Sequence, residues 1–221
     1  MTRLRIVLLA GVLTLASAFF APAALACASG YSYAGLYSSS KASGVAATLT
    51  MLEAPNIPSG HVAGWIGVGG PGLGPHGEDE WLQVGLASFA GSTQGHLYYE
   101  LAQPGHQPQY TELASGIQPG EKQRVALLEL PFARDSWVVV SSAGLAGPFY
   151  LPRSHRAWAP IATAESYSDS AACNRYAYRF GGVQLARPNG SWHDLRHGLE
   201  LQDPGLSLRR HGASAFSASA A

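Results

Sequence analysis

The chain has 221 residues, and its 14 Lys and Arg balance its 14 Asp and Glu, so the formal net charge is zero at pH 7. Charged residues make up only 13% of the sequence, and Lys41 and Lys122 are its only lysines, which excludes the basic stripe that nucleic-acid-binding proteins need. The 26 Gly and 14 Pro favour a turn-rich, all-β protein over a helical one.

Residues 1–26 have the pattern of a secretory signal peptide. The basic start MTRLR precedes an apolar run, and Ala24-Leu25-Ala26 forms a small-x-small cleavage site. A membrane anchor is the alternative interpretation, but the apolar run is short for a bilayer span. We therefore expect a secreted or periplasmic protein that begins at Cys27 and has no membrane segment after cleavage. Lipidation of Cys27 is disfavoured because Leu25 lies one residue later than the usual lipobox leucine.

Cysteine and histidine spacing gives little sign of a metal. The two cysteines, Cys27 and Cys173, lie far apart, and in an oxidising compartment we expect them to form one disulfide. His193 and His197 are four residues apart, which would suit a metal on a helix, but no third ligand is evident. We therefore expect neither a metal nor a cofactor.

The chain divides into an arm, one domain and a tail. Residues 27–42 are rich in Ser, Gly and Tyr and predict an extended N-terminal arm, whereas 206–221 predict a flexible tail. The β-sandwich domain is predicted over 43–205, and segment 194–202 within it is either a short helix or a strand. Its other candidate strands, separated by turn-forming sequences, are 44–53, 61–68, 81–89, 95–102, 123–130, 135–142, 145–151, 158–167 and 176–186. This spacing predicts an all-β, two-sheet antiparallel β-sandwich of the jelly-roll type, expected to be a monomer.

The segment WLQVGL predicts a strand with two different faces. Residues two apart share a face of a strand, so Leu82, Val84 and Leu86 point together into the core. Gln83 then points to the opposite face, beside an indole and a bare glycine backbone. An amide in that setting suits a surface that binds a peptide or a glycan.

Other polar and aromatic residues extend this candidate site. Trp65, Tyr98 and Glu100 lie on the neighbouring predicted strands. Glu165 is a lone carboxylate in IATAESYSD, a segment that is otherwise small and apolar. Taken alone, Glu165 could equally be a solvated strand residue.

The order of the motifs GWIGV, WLQVGL, YYE, IQPGE, TAES and FGGVQL resembles that of the eqolisin, or glutamic peptidase, family over about residues 61–185. The resemblance aligns Gln83 and Glu165 with the family's catalytic Gln and Glu. It also aligns Trp65 with the family's strand tryptophan and Glu100 with its active-site Glu. One departure is Gly69, which stands where the family usually has an acidic residue.

The resemblance implies a concanavalin- or lectin-like β-sandwich and a peptidase that needs no cofactor. In that case Glu165 acts as general base and then acid, and Gln83 stabilises the oxyanion. Trp65, Tyr98 and Glu100 face the substrate. The alternative is a non-catalytic, lectin-like protein on the same scaffold. The expected partner is accordingly a polypeptide substrate or a glycan.

Overall fold

The structure is a computed structural model that describes residues 29–170 and 172–220. These residues form β-strands without an α-helix, and none of them belongs to a helix long and apolar enough to span a membrane. In chain order the strands are β1 (Gly30–Tyr37), β2 (Gly44–Met51), β3 (His61–Gly70), β4 (Glu80–Phe89), β5 (Gly95–Ala102), β6 (Gln109–Ile117), β7 (Lys122–Glu129), β8 (Ser136–Ser141), β9 (Gly144–Tyr150), β10 (Ile161–Ser168), β11 (Tyr176–Ala186), β12 (Trp192–Asp194), β13 (Leu199–Gln202), β14 (Ser207–Arg210) and β15 (Phe216–Ala220). The predicted signal peptide and Cys27 lie outside the described residues, so cleavage and the Cys27–Cys173 disulfide stay predictions.

The strands form two antiparallel sheets that pack face to face. The seven-stranded sheet has the order β13-β1-β10-β3-β4-β5-β6. The eight-stranded sheet has the order β14-β15-β11-β2-β7-β8-β9, with β12 paired to β11. The predicted all-β sandwich is therefore confirmed.

The core lies between the two sheets. Leu82, Val84 and Leu86 are each 0% exposed, as the alternation in β4 predicted. From the other sheet, Phe180 and Phe216 stack with ring centroids 4.4 Å apart. Each such side chain contributes about 1.5–3 kcal/mol when buried, so the inward face of β4 is strongly fixed. That fixed register directs Gln83 to the outer face of the seven-stranded sheet.

The expected N-terminal arm over 27–42 is instead largely a strand of the sandwich. β1 pairs with β10 along its whole length, and its residues Ala34 and Leu36 are buried. At Gly35 an added Cβ would lie 2.3 Å from the backbone oxygen of Ala162. The small residues that suggested a loose arm are therefore those that let β1 lie close against β10.

The expected flexible tail over 206–221 also forms strands. β14 pairs with β15, and β15 pairs with β11 at the edge of the core. Phe216, Ala218 and Ala220 are buried. The segment has low complexity, but its Phe-Ser-Ala-Ser-Ala alternation is a strand pattern. Segment 194–202 contains the end of β12 and the whole of β13, so its strand alternative is the correct one.

Candidate active site

A pocket of about 490 Å³ opens on the outer face of the seven-stranded sheet. Trp65, Gln83, Glu100 and Glu165, which the sequence analysis singled out, all line it. They come from four consecutive strands of the sheet, β10, β3, β4 and β5. Because the alternate residues of these strands fill the core, the four side chains share the outer face.

Glu165 is 7% exposed, and two donors from β3 hold its carboxylate. The Trp65 indole Nε1 donates to Oε2 over 3.1 Å. The His61 imidazole Nε2 lies 3.0 Å from Oε1. A buried carboxylate is costly unless such partners replace the lost water. Each carboxylate oxygen can accept two hydrogen bonds, so Glu165 keeps acceptor capacity for a water in the pocket.

The Trp65 indole is fixed in place by two glycines. A Cβ on Gly67 would lie 2.8 Å from Cζ3 of the indole, and a Cβ on Gly85 would lie 2.5 Å from Cβ of Trp65. Tyr98 and two alanines pack with the same indole. Any larger residue at either glycine would displace the ring and with it the donor to Glu165.

Gln83 is 8% exposed and lies directly between two strands that carry site residues. Its backbone pairs with Gly67 on β3 and with Glu100 on β5. Its Nε2 donates to the Tyr98 hydroxyl over 3.1 Å. A primary amide has two N–H donors, so one hydrogen bond to Tyr98 leaves a donor for a ligand.

Glu100 is a second carboxyl group in the same pocket. Trp81 Nε1 donates to its Oε1 over 3.0 Å. Burial raises the pKa of Glu100, the hydrogen bond from Trp81 opposes that rise, and the negative charge of Glu165 adds to it. The two carboxyl groups therefore differ in their surroundings, which is how paired carboxyl groups come to divide acid and base roles.

The sheet register separates Gln83 from Glu165 along β3. Glu165 pairs with Ala63, whereas Gln83 pairs with Gly67. That offset is roughly 13 Å along an ideal strand, before the twist of the sheet is considered. The described contacts of each side chain go to Trp65, His61 or Tyr98 rather than to the other. Both side chains nevertheless line the same pocket.

Four further aromatic residues line the pocket but were not predicted from the sequence to belong to the site: Tyr31, Tyr33, His61 and Trp81. His61 could have been found, because it lies four residues before Trp65 on the same predicted strand and so shares its face. Tyr31 and Tyr33 were missed because their segment was predicted to be an arm. Burial, and next the charge of Glu165, raises the pKa of Tyr33 well above its usual range, so its hydroxyl stays a neutral donor.

Gly69 has a structural reason to differ from the family pattern. Its φ is +81°, and an added Cβ would lie 2.3 Å from the backbone oxygen of Glu80. An acidic side chain would not fit there without a change in the backbone.

Among the described residues, no group of three His, Cys, Asp or Glu side chains is arranged to hold a metal ion.

Comparison with solved structures finds the same architecture in glutamic peptidases. Scytalido-glutamic peptidase, solved with a peptide-based transition state analogue, superimposes with a TM-score of 0.61 and 16% identity, covering 87% of this chain and 98% of that one. SCP-B, an eqolisin solved with the tripeptide Ala-Ile-His, gives a TM-score of 0.56 and 15% identity over the same shares. No protein-family model and no curated protein matches the sequence. At this identity the likeness establishes the fold, and the chain has the β-sandwich fold of the glutamic peptidases.

Proposed function

We propose that the protein is a secreted glutamic-type endopeptidase that hydrolyses peptide bonds in polypeptides. The observation that carries the proposal is the carboxylate of Glu165, which is buried, held by two donors and open to the pocket that Gln83 also lines. The fold supports it, because the glutamic peptidases named above were solved with a peptide-based analogue and a tripeptide.

The proposed reaction is a water attack without a covalent intermediate. Glu165 takes a proton from a water whose oxygen forms a bond to the substrate carbonyl carbon. The carbonyl oxygen becomes negative, and the Gln83 amide N–H donates a hydrogen bond to it. Glu165 then gives the proton to the leaving nitrogen as the C–N bond breaks. Trp65, Tyr98 and Glu100 bind the substrate around this centre.

The chemistry predicts activity in acid. A carboxylate base works best near the pH at which glutamates ordinarily ionise, about 4.3. Burial raises the pKa of Glu100, which lessens the second negative charge beside Glu165 in acid. We therefore expect hydrolysis to be strongest below about pH 5.

A lectin-like binding protein is the second candidate function. The observation that favours it is the set of exposed aromatic rings on the same face: Tyr31 is 58% exposed, Tyr110 is 41% exposed and Phe89 is 38% exposed. Such rings offer stacking surfaces for sugar rings as well as for peptide side chains. This candidate predicts binding to a glycan or a peptide with no bond cleaved.

The decisive experiment compares Glu165→Gln with Glu112→Gln. Glu112 lies on the same sheet and also contacts a histidine, His96, over 2.8 Å, but it does not line the pocket. With denatured protein as substrate between pH 2 and 8, and products identified by mass spectrometry, Glu165→Gln should lower kcat about a thousandfold. Glu112→Gln should leave it unchanged.

Two outcomes contradict the proposal: a wild-type protein that cleaves no denatured substrate across that range, or a Glu165→Gln variant that cleaves normally. Binding of the inactive protein to immobilised glycans would then favour the lectin-like candidate.

Secretion and the disulfide are tested by intact mass. Protein recovered outside the expressing cell should begin at Cys27, and alkylation should find no free thiol until a reductant is added. Two alkylated cysteines without reductant would contradict the disulfide with Cys173, and an added diacylglycerol mass would favour the lipid anchor.

A further inference from the structure

His61 contacts the carboxylate that the proposed reaction uses. It is the first residue of β3, and its Nε2 lies 3.0 Å from Oε1 of Glu165. The other carboxylate oxygen already accepts a hydrogen bond from Trp65. The His61 side chain is 26% exposed. The family motifs that aligned Gln83 and Glu165 assign no role to a histidine here.

Three aromatic rings surround the His61 imidazole. Tyr167 stacks on it with centroids 5.5 Å apart, Tyr31 meets it edge-on at 6.1 Å, and Phe89 lies tilted at 6.2 Å. Aromatic faces attract cations, and the adjacent carboxylate does so more strongly. The three rings and the carboxylate therefore restrict the His61 imidazole to one orientation.

Among the described residues that line the pocket with Glu165, His61 is the only basic one. The other titratable groups around the pair, taken from every neighbouring element, are Tyr31 and Tyr33 of β1, Tyr167 of β10, Tyr98 and Glu100 of β5, Tyr176 of β11 and Asp203 after β13. Tyrosines are neutral in the acidic range, so His61, Glu100 and Asp203 are the groups that can carry charge near Glu165 there.

We propose that His61 is a positioning residue for Glu165: its hydrogen bond orients Oε1, and its imidazolium form places a positive charge beside the carboxylate. The proposal rests on the peptidase function proposed above. Loss of the hydrogen bond and loss of the charge should therefore affect the activity in different ways, which two variants can separate.

The first test is the pH dependence of kcat/KM in two variants. His61→Gln retains a hydrogen-bond donor but removes the charge, so the acidic limb of the profile should move up by about one pH unit while the plateau changes little. His61→Ala removes both, so the limb should move similarly and the plateau should fall about tenfold. A merely structural role would lower activity equally at every pH and leave the limb in place.

His96 provides a matched control. It lies on the same face of the sheet, its Nδ1 is 2.8 Å from Glu112 Oε2, and its side chain is 24% exposed. It also contacts Phe89, with ring centroids 5.5 Å apart, but it does not line the pocket. His96→Gln should therefore leave both limb and plateau unchanged. A limb that stays in place in His61→Gln, or that moves equally in His96→Gln, overturns the proposal.

The second test needs no activity. In an NMR titration of the imidazole signals, the midpoint for His61 should be about one pH unit lower in Glu165→Gln than in the wild type, and the midpoint for His96 should not change. In Glu112→Gln the midpoint for His96 should fall, and that for His61 should not change. A His61 titration that ignores Glu165 overturns the proposal whether or not the protein cleaves peptides. If the His61 titration responds to Glu165→Gln but the protein cleaves no peptide, the contact between His61 and Glu165 is supported and the peptidase function is contradicted. Melting temperatures of all variants identify any that fail to fold.

Discussion

Two buried glutamates of the seven-stranded sheet differ in what they contact. Glu165 on β10 is 7% exposed and faces the pocket, where Trp65 and His61 contact its two oxygens. Glu80 on β4 is 0% exposed and lies on the inward face, and neither of its oxygens has a hydrogen-bond partner among the described residues. The two carboxyl groups are therefore similarly buried but differ in their hydrogen-bond partners.

The difference teaches that burial alone does not prepare a carboxyl group for catalysis. Burial raises the pKa of Glu80 to about 7, and the charges of Asp135 and Glu78 add to the rise. A carboxyl group without donors stays neutral in acid and cannot act as a base there. In Glu165, a donor aimed at each oxygen replaces the hydrogen bonds to water that burial removes.

Among the variants that leave Glu165 in place, Gln83→Ala should have the largest effect, because it removes the proposed oxyanion donor. It should lower kcat by about 10²–10³-fold, the size seen when one such donor is lost. Gln123→Ala is the matched control, because Gln123 is also 8% exposed but belongs to the other sheet. Steady-state hydrolysis at the optimum pH measures both variants. Equal activity in the two would remove Gln83 from the mechanism.

Glu80→Gln tests the other side of the comparison through stability. Because the folded state raises the pKa of Glu80 from 4.5 to about 7, its favourable contribution is complete below about pH 4.5 and is lost as pH rises to 7. The loss amounts to at most about 3 kcal/mol. The variant should therefore match the wild type at pH 4 and be more stable than it at pH 8.

Urea unfolding at several pH values measures this difference, and hydrolysis by Glu80→Gln in acid should stay near the wild-type rate. Parallel stability curves for the two proteins would mean that Glu80 is ionised, or paired with water, in the folded state.

The smallest expected effect is that of Trp65→Phe, which keeps an aromatic ring on the glycines but removes the Nε1 donor to Glu165. A hydrogen bond to a charged group contributes about 1.5–3 kcal/mol, so kcat/KM should fall by roughly 10- to 150-fold. Trp81→Phe removes the equivalent donor from Glu100 and serves as the comparison. If Trp81→Phe costs more activity than Trp65→Phe, Glu100 is the more important carboxyl group.

The local parts of the fold could be predicted from the sequence, and the distant pairings could not. Alternation in β4 was enough to assign Leu82 to the core and Gln83 to the outer face. Composition misled the assignment of β1 and β15, because small residues suggest loops when their close packing partners are unknown. β1 pairs with β10, and β15 pairs with β11, so in both cases a partner strand is distant in the sequence.

The candidate site was predictable to a similar degree. Ordered motifs suggested Gln83 and Glu165, which line one pocket, but no motif contained the contact between His61 and Glu165, which are 104 residues apart in sequence. That contact depends on the register between β3 and β10, which many side chains determine together. A sequence pattern describes one strand at a time, so the donors to a carboxylate on another strand stay hidden.

The pairing of β1 with β10 has a consequence for when the site can form. β1 comes early in the chain and β10 late, yet they lie side by side, with Tyr33 opposite Glu165. Such long-range pairings form slowly, because a large loop must close before any contact compensates for its entropy. Under the proposed function, a chain in which β10 has not yet been made lacks Glu165 and cannot hydrolyse peptide bonds. Refolding followed by hydrolysis and by near-UV circular dichroism should accordingly find activity only in the last phase.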